Sequence, residues 1–239
     1  GLLFFACPGY SGPGCGAWRS DGTEAGTFQV AALSFISSLV NVNGTAYFAA
    51  SDDTHGIELW KSDGTVAGTV LVRDIVAGAS GSSPSYLVSH AGALFFRLGS
   101  DGPIWKSDGT ESGTVLVHSQ PGSGPLVTSG TRLFSASGSQ LWATDGTETG
   151  TILVRDFGVS FSLSTAATIP GALLLWVDRG VDGLELWRSD GTPAGTTLVT
   201  TVEPGNEALS AQISASIPGA AVFGLGYTPS LLWRSDGTP

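Results

Sequence analysis

The stretch that decides the fold is Trp60-Lys61-Ser62-Asp63-Gly64-Thr65-Val66-Ala67-Gly68-Thr69. It recurs, with small changes, from Trp18, Trp105, Trp142 and Trp187, and a shorter copy runs from Trp233 to Pro239. The aspartates of the six copies, Asp21, Asp63, Asp108, Asp145, Asp190 and Asp236, follow one another at intervals of 37 to 46 residues. A period of this length belongs to repeats that each form one small sheet of four short strands. The phrase is therefore a unit of architecture before it is a site.

Working outward from it, each repeat divides into four apolar runs, A to D. Run B follows a glycine, as in Gly44-Thr45-Ala46-Tyr47-Phe48 and Gly92-Ala93-Leu94-Phe95-Phe96, and is apolar almost without a break, which predicts cover on both faces. Run C ends in the tryptophan, as in Ile57-Glu58-Leu59-Trp60, and run D follows the phrase, as in Thr69-Val70-Leu71-Val72. Both are short and rich in β-branched and aromatic residues. Run A, as in Leu39-Val40 or Tyr86-Leu87-Val88, joins B through the turn signals Asn43-Gly44, Ser129-Gly130, Pro170-Gly171 and Pro218-Gly219. A longer stretch such as Asp74 to Ser85 carries D to the next A. Three tight connections and one long one describe a blade whose strands lie side by side and whose chain then crosses to the next.

The reading is an all-β chain, a β-propeller of four-stranded antiparallel blades. Five A, six B, six C and five D runs give 22 strands, hence about six blades with incomplete outer blades; the alternative is five closed blades with an overhang. The repeats fall near 1–43, 44–91, 92–129, 130–170, 171–218 and 219–239, within one domain over 1–239. With no methionine and a first residue, Gly1, in mid-repeat, the chain reads as a piece excised from a longer protein.

Composition narrows the partners. The formal net charge is −10, with 10 Lys plus Arg and no basic cluster, so nucleic acid is rejected as a ligand: its phosphates demand neutralising cations. No apolar stretch approaches the roughly 20 residues of a membrane helix, so membrane insertion is not expected. Few lysines among many Ser, Thr and Gly match an extracellular surface. Cys7 and Cys15 flank a loop between two strands, and a disulfide across its mouth is one reading, two unrelated buried thiols the other. Two cysteines are too few for zinc, and neither His90 nor His118 stands at ligand spacing to them.

The phrases Glu58-Leu59-Trp60-Lys61-Ser62-Asp63-Gly64-Thr65 and Leu184-Glu185-Leu186-Trp187 with Asp190-Gly191-Thr192 resemble the bacterial ELWxxDGT repeat family, and the resemblance runs through essentially the whole chain. It implies a secreted or surface-exposed bacterial propeller-like protein and carries no catalytic residue set. The chain departs from the pattern in lacking Glu before Trp18, Trp105, Trp142 and Trp233.

A Trp at one fixed place in every repeat is read as a wedge between sheets rather than a row of sugar platforms. Asp-Gly-Thr is read as a turn, because one carboxylate per repeat supplies calcium with one ligand of the six to eight it needs; no cofactor is expected, calcium being the single candidate weighed. Antiparallel strands put the A–B and C–D hairpins at one end and the dissimilar B–C and D–A loops at the other, where recognition is expected. The candidate binding residues are Asp52, Asp53 and His55 in one B–C loop, Asp178 and Arg179 in another, and Trp176. Trp176 holds a place occupied by Ala6, Ala49, Arg97, Ser135 and Gly224 elsewhere, which makes it a candidate exposed stacking residue or, alternatively, the filling of a local void. His55, His90 and His118 share no motif, and no nucleophile or phosphate-loop signature occurs, so catalysis is not expected. The expected function is non-catalytic recognition of a protein or glycan; a multivalent lectin and a glycan-active hydrolase are the alternatives.

Overall fold

The computed structural model describes residues 2–6, 15–52, 54–120, 122–202, 211–225 and 231–238. The chain forms two compact units, Gly1–Ser119 and Gln120–Pro239.

In the first unit β1 (Leu3–Ala6), β2 (Ala17–Ser20) and β3 (Phe28–Ala31) make a three-stranded sheet. Two four-stranded sheets follow: β4 (Ser34–Val42), β5 (Thr45–Ser51), β6 (Glu58–Ser62) and β7 (Val70–Arg73), then β8 (Pro84–His90), β9 (Ala93–Leu98), β10 (Ile104–Ser107) and β11 (Val115–His118). The second unit holds β12 (Ser123–Ser129), β13 (Arg132–Ser137), β14 (Gln140–Thr144) and β15 (Ile152–Asp156), then β16 (Ala167–Ile169), β17 (Ala172–Asp178), β18 (Leu184–Ser189) and β19 (Thr197–Val202). Its third sheet is β20 (Ala211–Ile217), β21 (Ala220–Leu225) and β22 (Leu231–Ser235). Every pairing is antiparallel and sequential, and the 22 strands among the described residues match the five A, six B, six C and five D runs of the sequence. We number the sheets 1 to 6 in chain order. Within the units, β4 runs beside β8 and β16 beside β12 and β20, so the A strands form the mutual flank of adjacent sheets.

Most B strands are buried on both faces, as their unbroken apolar runs predict: β5, β9, β13 and β17 are buried at almost every position, whereas β1, in the three-stranded first sheet, leaves Leu3 and Phe5 exposed. Two of the repeated tryptophans, Trp60 and Trp187, wedge between sheets. Trp60 joins Ala17, Val30, Leu33 and Phe48, and Trp187 joins Leu141, Val154 and Phe157 of the preceding sheet and its connection.

The repeated phrase closes a C–D turn held by hydrogen bonds among its Ser, Asp, Thr and Gly groups. Asp63 Oδ1 accepts from Thr65 N at 2.8 Å and Thr65 Oγ1 at 2.7 Å, Gly68 N donates to Thr65 Oγ1, and Ser62 and Thr69 share a hydroxyl hydrogen bond at 2.7 Å. The same Asp-to-Thr bonds recur at Asp21, Asp108, Asp145, Asp190 and Asp236. The two glycines differ in purpose. The first, Gly64, sits at φ +92°, in the left-handed region that a Cβ disfavours. The second, Gly68, has room for no side chain, since a Cβ there would lie 2.1 Å from the Asp63 carboxylate.

Two details depart from the sequence reading. In sheet 4 the A–B turn is Gly130-Thr131, not Ser129-Gly130: Ser129 pairs with Arg132, and Gly130 takes the positive φ at the first turn position. The shift of one residue places Ala136, not Ser135, opposite the residue that precedes the tryptophan, and so at the counterpart of Trp176. The A strands are also kinked. Phe35 and Ser38 in β4, and Ser83 and Tyr86 at equivalent places in sheet 3, have φ between +51° and +57°, and the pairing register slips beside them. A non-glycine residue held there costs roughly 1–2 kcal/mol, which the surrounding strand pairing must offset.

Candidate recognition surface

Within each unit the B–C and D–A loops lie at the strand ends opposite the repeated turns. Gly56 N donates to Gly78 O, Ser83 N to Ile57 O and Gly99 N to Ser83 O, stitching the loops of sheets 2 and 3 to one another. Beneath them Glu58 is fully buried and gathers three donors: Val76 N and Ser82 N on Oε1, Ser82 Oγ on Oε2. The glutamate of the Glu-Leu-Trp phrase thus anchors the D–A connection of its own sheet. Its counterpart Glu185 instead accepts from Trp187 Nε1 at 2.8 Å and pairs with Arg179 Nε at 2.9 Å.

The candidate residues are largely consumed by their own loops. Asp52 accepts from Thr54 N, Thr54 Oγ1 and His55 N, and its Oδ2 pairs with His55 Nδ1 at 2.9 Å. Burial alone raises the Asp52 carboxyl pKa, but the donors of His55 and Thr54 outweigh it and hold the group well below the usual carboxylate range. The Asp52 hydrogen bond in turn raises the His55 pKa. Asp53 lies outside the described residues, as does Cys7, and with it the Cys7–Cys15 pairing. Asp178 Oδ1 caps a single 3₁₀ turn, Gly180–Asp182, by accepting from Gly180 N. Arg179 ties that loop to Glu185 and donates to Phe157 O in the preceding connection, an internal brace. Trp176 is 4% exposed and meets Phe223 edge-on at 5.3 Å, so it is a core side chain and not an exposed platform. Among the described residues no three His, Cys, Asp or Glu side chains gather to hold a metal ion.

What the loop end offers is a cavity of about 300 Å³ lined by Ser37, Ile57, Ser83, Pro84, Ser85, Tyr86, Gly99 and Ser100. Its wall combines hydroxyls with the ring of Tyr86, which the left-handed backbone at φ +51° leaves 38% exposed. Phe35 and Leu39 of the neighbouring A strand are exposed as well.

With this geometry in hand, the chain can be set beside solved structures. It superposes over its whole length on a chain from an analysis of two prolyl endopeptidases, at TM-score 0.62 and 13% identity, and spans 40% of that chain. It also matches a puromycin hydrolase mutant complexed with PGG at TM-score 0.51 and 14% identity, over 90% of this chain and 38% of that one. Its sheets are propeller blades. A chain of a nidogen/laminin complex matches at TM-score 0.45 and 12% identity, over 93% of this chain and 84% of that one. At these identities the likeness is one of fold. No protein-family model matches the chain, and no curated protein matches it in sequence. No helix among the described residues is long and apolar enough to cross a membrane.

Sequence reasoning missed the cations that join neighbouring blades. Arg155, near the end of strand D of blade 4, lies 4.0 Å over the ring of Trp187 in blade 5, and Arg73 lies 5.7 Å over Trp105. Lys61, the residue after a tryptophan, donates to Gly109 O of the next repeated turn at 2.7 Å, and Arg19 donates likewise to Gly64 O. Each of these cations stands at a fixed offset from the phrase, which is the signal that could have found them. Arg97 is the unexpected buried charge, 1% exposed with Nη1 donating to Gly102 O, and desolvation lowers its pKa from the usual guanidinium value.

Proposed function

We propose that this chain is a non-catalytic recognition module of an extracellular bacterial protein, and that it binds a protein or glycan through the dissimilar B–C and D–A loops. The observation that carries the reading is the asymmetry between the two ends. The repeated end is alike in every blade and spends its Asp, Ser and Thr groups on internal bonds, while the loop end of the first unit holds a mostly apolar cavity, with Ser37 and Ser83 in its wall, beside an exposed tyrosine. A cavity of about 300 Å³ is at the lower edge of small-ligand sites, enough for one sugar ring or two side chains of a peptide. Tyr supplies an apolar face and a polar tip, which suits either. The resemblance to the ELWxxDGT family supports the surface location.

The test is binding of the 239-residue protein to a glycan array and to an array of extracellular protein domains, with Tyr86→Asn as the control. Asn tolerates the left-handed backbone and removes the ring. Binding that disappears in Tyr86→Asn, with an unchanged circular dichroism spectrum, is expected. Full binding by that variant, or turnover of a glycoside or peptide by the wild type, overturns the reading.

A further inference from the structure

The loop-end cavity of the first unit sits in a one-sided field of charge. The connections stitched together there, 51–57, 74–85 and 99–103, carry Asp52, Asp53, His55, Asp74 and Asp101 and neither lysine nor arginine. The cations of this unit are engaged elsewhere. Arg19 and Lys61 donate to the turn glycines Gly64 and Gly109 at the opposite end, and Arg73, although it ends a D strand, reaches Thr114 O of the next repeated turn. Lys106 follows a tryptophan beside its own turn. Arg97 does approach the loops, but it is 1% exposed, donates to Gly102 O and has the Asp101 charge beside it. Asp52 is paired with His55, which leaves Asp74, Asp101 and the buried Glu58, next to Ile57 and bonded to Ser82, to set the sign of the field.

The wall of the cavity suits an aliphatic stem better than a sugar. Ile57, Pro84 and the exposed ring of Tyr86 make it mostly apolar. A sugar ring needs several directed hydrogen bonds, yet the hydroxyls of Ser85 and Ser100 already donate to Gly99 O and Asp101 Oδ2. An apolar wall, an aromatic face and a negative surround together complement a chain of methylenes that ends in a cation. A guanidinium fork is held best by a carboxylate with two open oxygens. Asp52 and Glu58 have both oxygens hydrogen-bonded and Asp101 has one, whereas an ammonium requires only the negative potential.

We propose that the occupant of this cavity is a lysine side chain of a protein partner, its stem on Ile57, Pro84 and Tyr86 and its ammonium in the field of Asp74, Asp101 and Glu58. The proposal rests on the reading of this cavity as the binding site, and it narrows the ligand from protein or glycan to a basic protein surface. The net charge of −10 draws the same class of partner from a distance.

The test uses the 239-residue protein with 3-fluorotyrosine at its four tyrosines, the Tyr86 resonance being assigned by its loss in Tyr86→Asn. The titrants are N-acetyl-lysine methylamide and N-acetyl-norleucine methylamide, which has the same straight stem without the charge. The lysine probe is expected to move the Tyr86 signal with an affinity at least roughly threefold above that of the norleucine probe at low salt, and to lose that advantage at high salt. Asp101→Asn, which keeps an acceptor for Ser100, and Ser100→Lys, at an exposed position, should each cut the advantage at least about twofold and leave the norleucine affinity unchanged. Equal affinities for the two probes, no movement of the Tyr86 signal by either, or an undiminished lysine preference in both folded variants overturns the proposal. Equal probe affinities alongside array binding that is lost in Tyr86→Asn would overturn the lysine assignment alone and leave the cavity as the binding site.

Discussion

Replacing Gly109 by alanine separates the two tasks of the repeated turn, and Gly44 supplies the reference. Both glycines have nearly the same φ, +90° at Gly109 and +88° at Gly44. A Cβ on Gly44 would meet nothing within 4 Å, whereas on Gly109 it would lie 2.3 Å from Tyr47 Oη of the preceding blade. Alanine in the left-handed region costs roughly 1–2 kcal/mol, and the stiffer unfolded chain returns roughly 0.4–1 kcal/mol, so Gly44→Ala should cost about 1 kcal/mol. Tyr47 is 5% exposed and its ring has little room to retreat, so Gly109→Ala adds an overpacking cost of roughly 1–3 kcal/mol, for about 2–4 kcal/mol in all. Urea unfolding followed by tryptophan fluorescence reads the midpoints, with m-values checked for equality. Tyr47→Phe removes the clashing oxygen and should restore most of the difference when combined with Gly109→Ala. If the two alanine variants lose the same stability, or Tyr47→Phe restores nothing, the docking of one blade on the next blade's turn glycine is refuted.

Three further outcomes follow from the same contacts. The hydrogen bonds from Thr65 and its counterparts lower the pKa of Asp63, Asp108, Asp145, Asp190, Asp21 and Asp236 from 3.8, so their contribution is complete above that pH and is lost as pH falls through the depressed folded values. Asp→Asn at several of these sites should keep the fold at pH 7, because Asn Oδ1 still accepts, and flatten the acid limb of an unfolding curve measured from pH 5 to 2. A double-mutant cycle between Arg155→Gln and Trp187→Leu should give a coupling of roughly 1–2 kcal/mol in urea, since the ring is almost fully desolvated; a coupling near zero would make the stacking incidental. Trp176→Ala should destabilise the protein by roughly 3–5 kcal/mol, and a midpoint unchanged by the substitution would contradict its place in the core.

Strand order was legible because period, turn residues and unbroken apolar runs are properties of the chain itself. Each B run needs cover on two faces whatever its neighbours are, and the Asp-Gly-Thr turn closes on atoms within seven residues of one another. The B–C loops could not be read in the same way. Asp52 with His55, and Asp178 with Arg179, carry the residue types of a binding site, yet their partners are Thr54, Gly180, Glu185 and Phe157. Tyr86 carried no signal, because its exposure follows from a positive φ that the side chain does nothing to favour.

By itself, then, the sequence determined the strands found among the described residues, their antiparallel order and the internal closure of each repeated turn, since all of these arise from local geometry and from burial that any neighbour can satisfy. Only the tertiary structure decided what the repeated phrase does between blades. The glycine of one turn receives Tyr47 and Lys61 of the blade before it, and an arginine lies over the next blade's tryptophan. Those outcomes depend on side chains about forty residues apart meeting at van der Waals distance, and no pattern within one repeat specifies such a meeting.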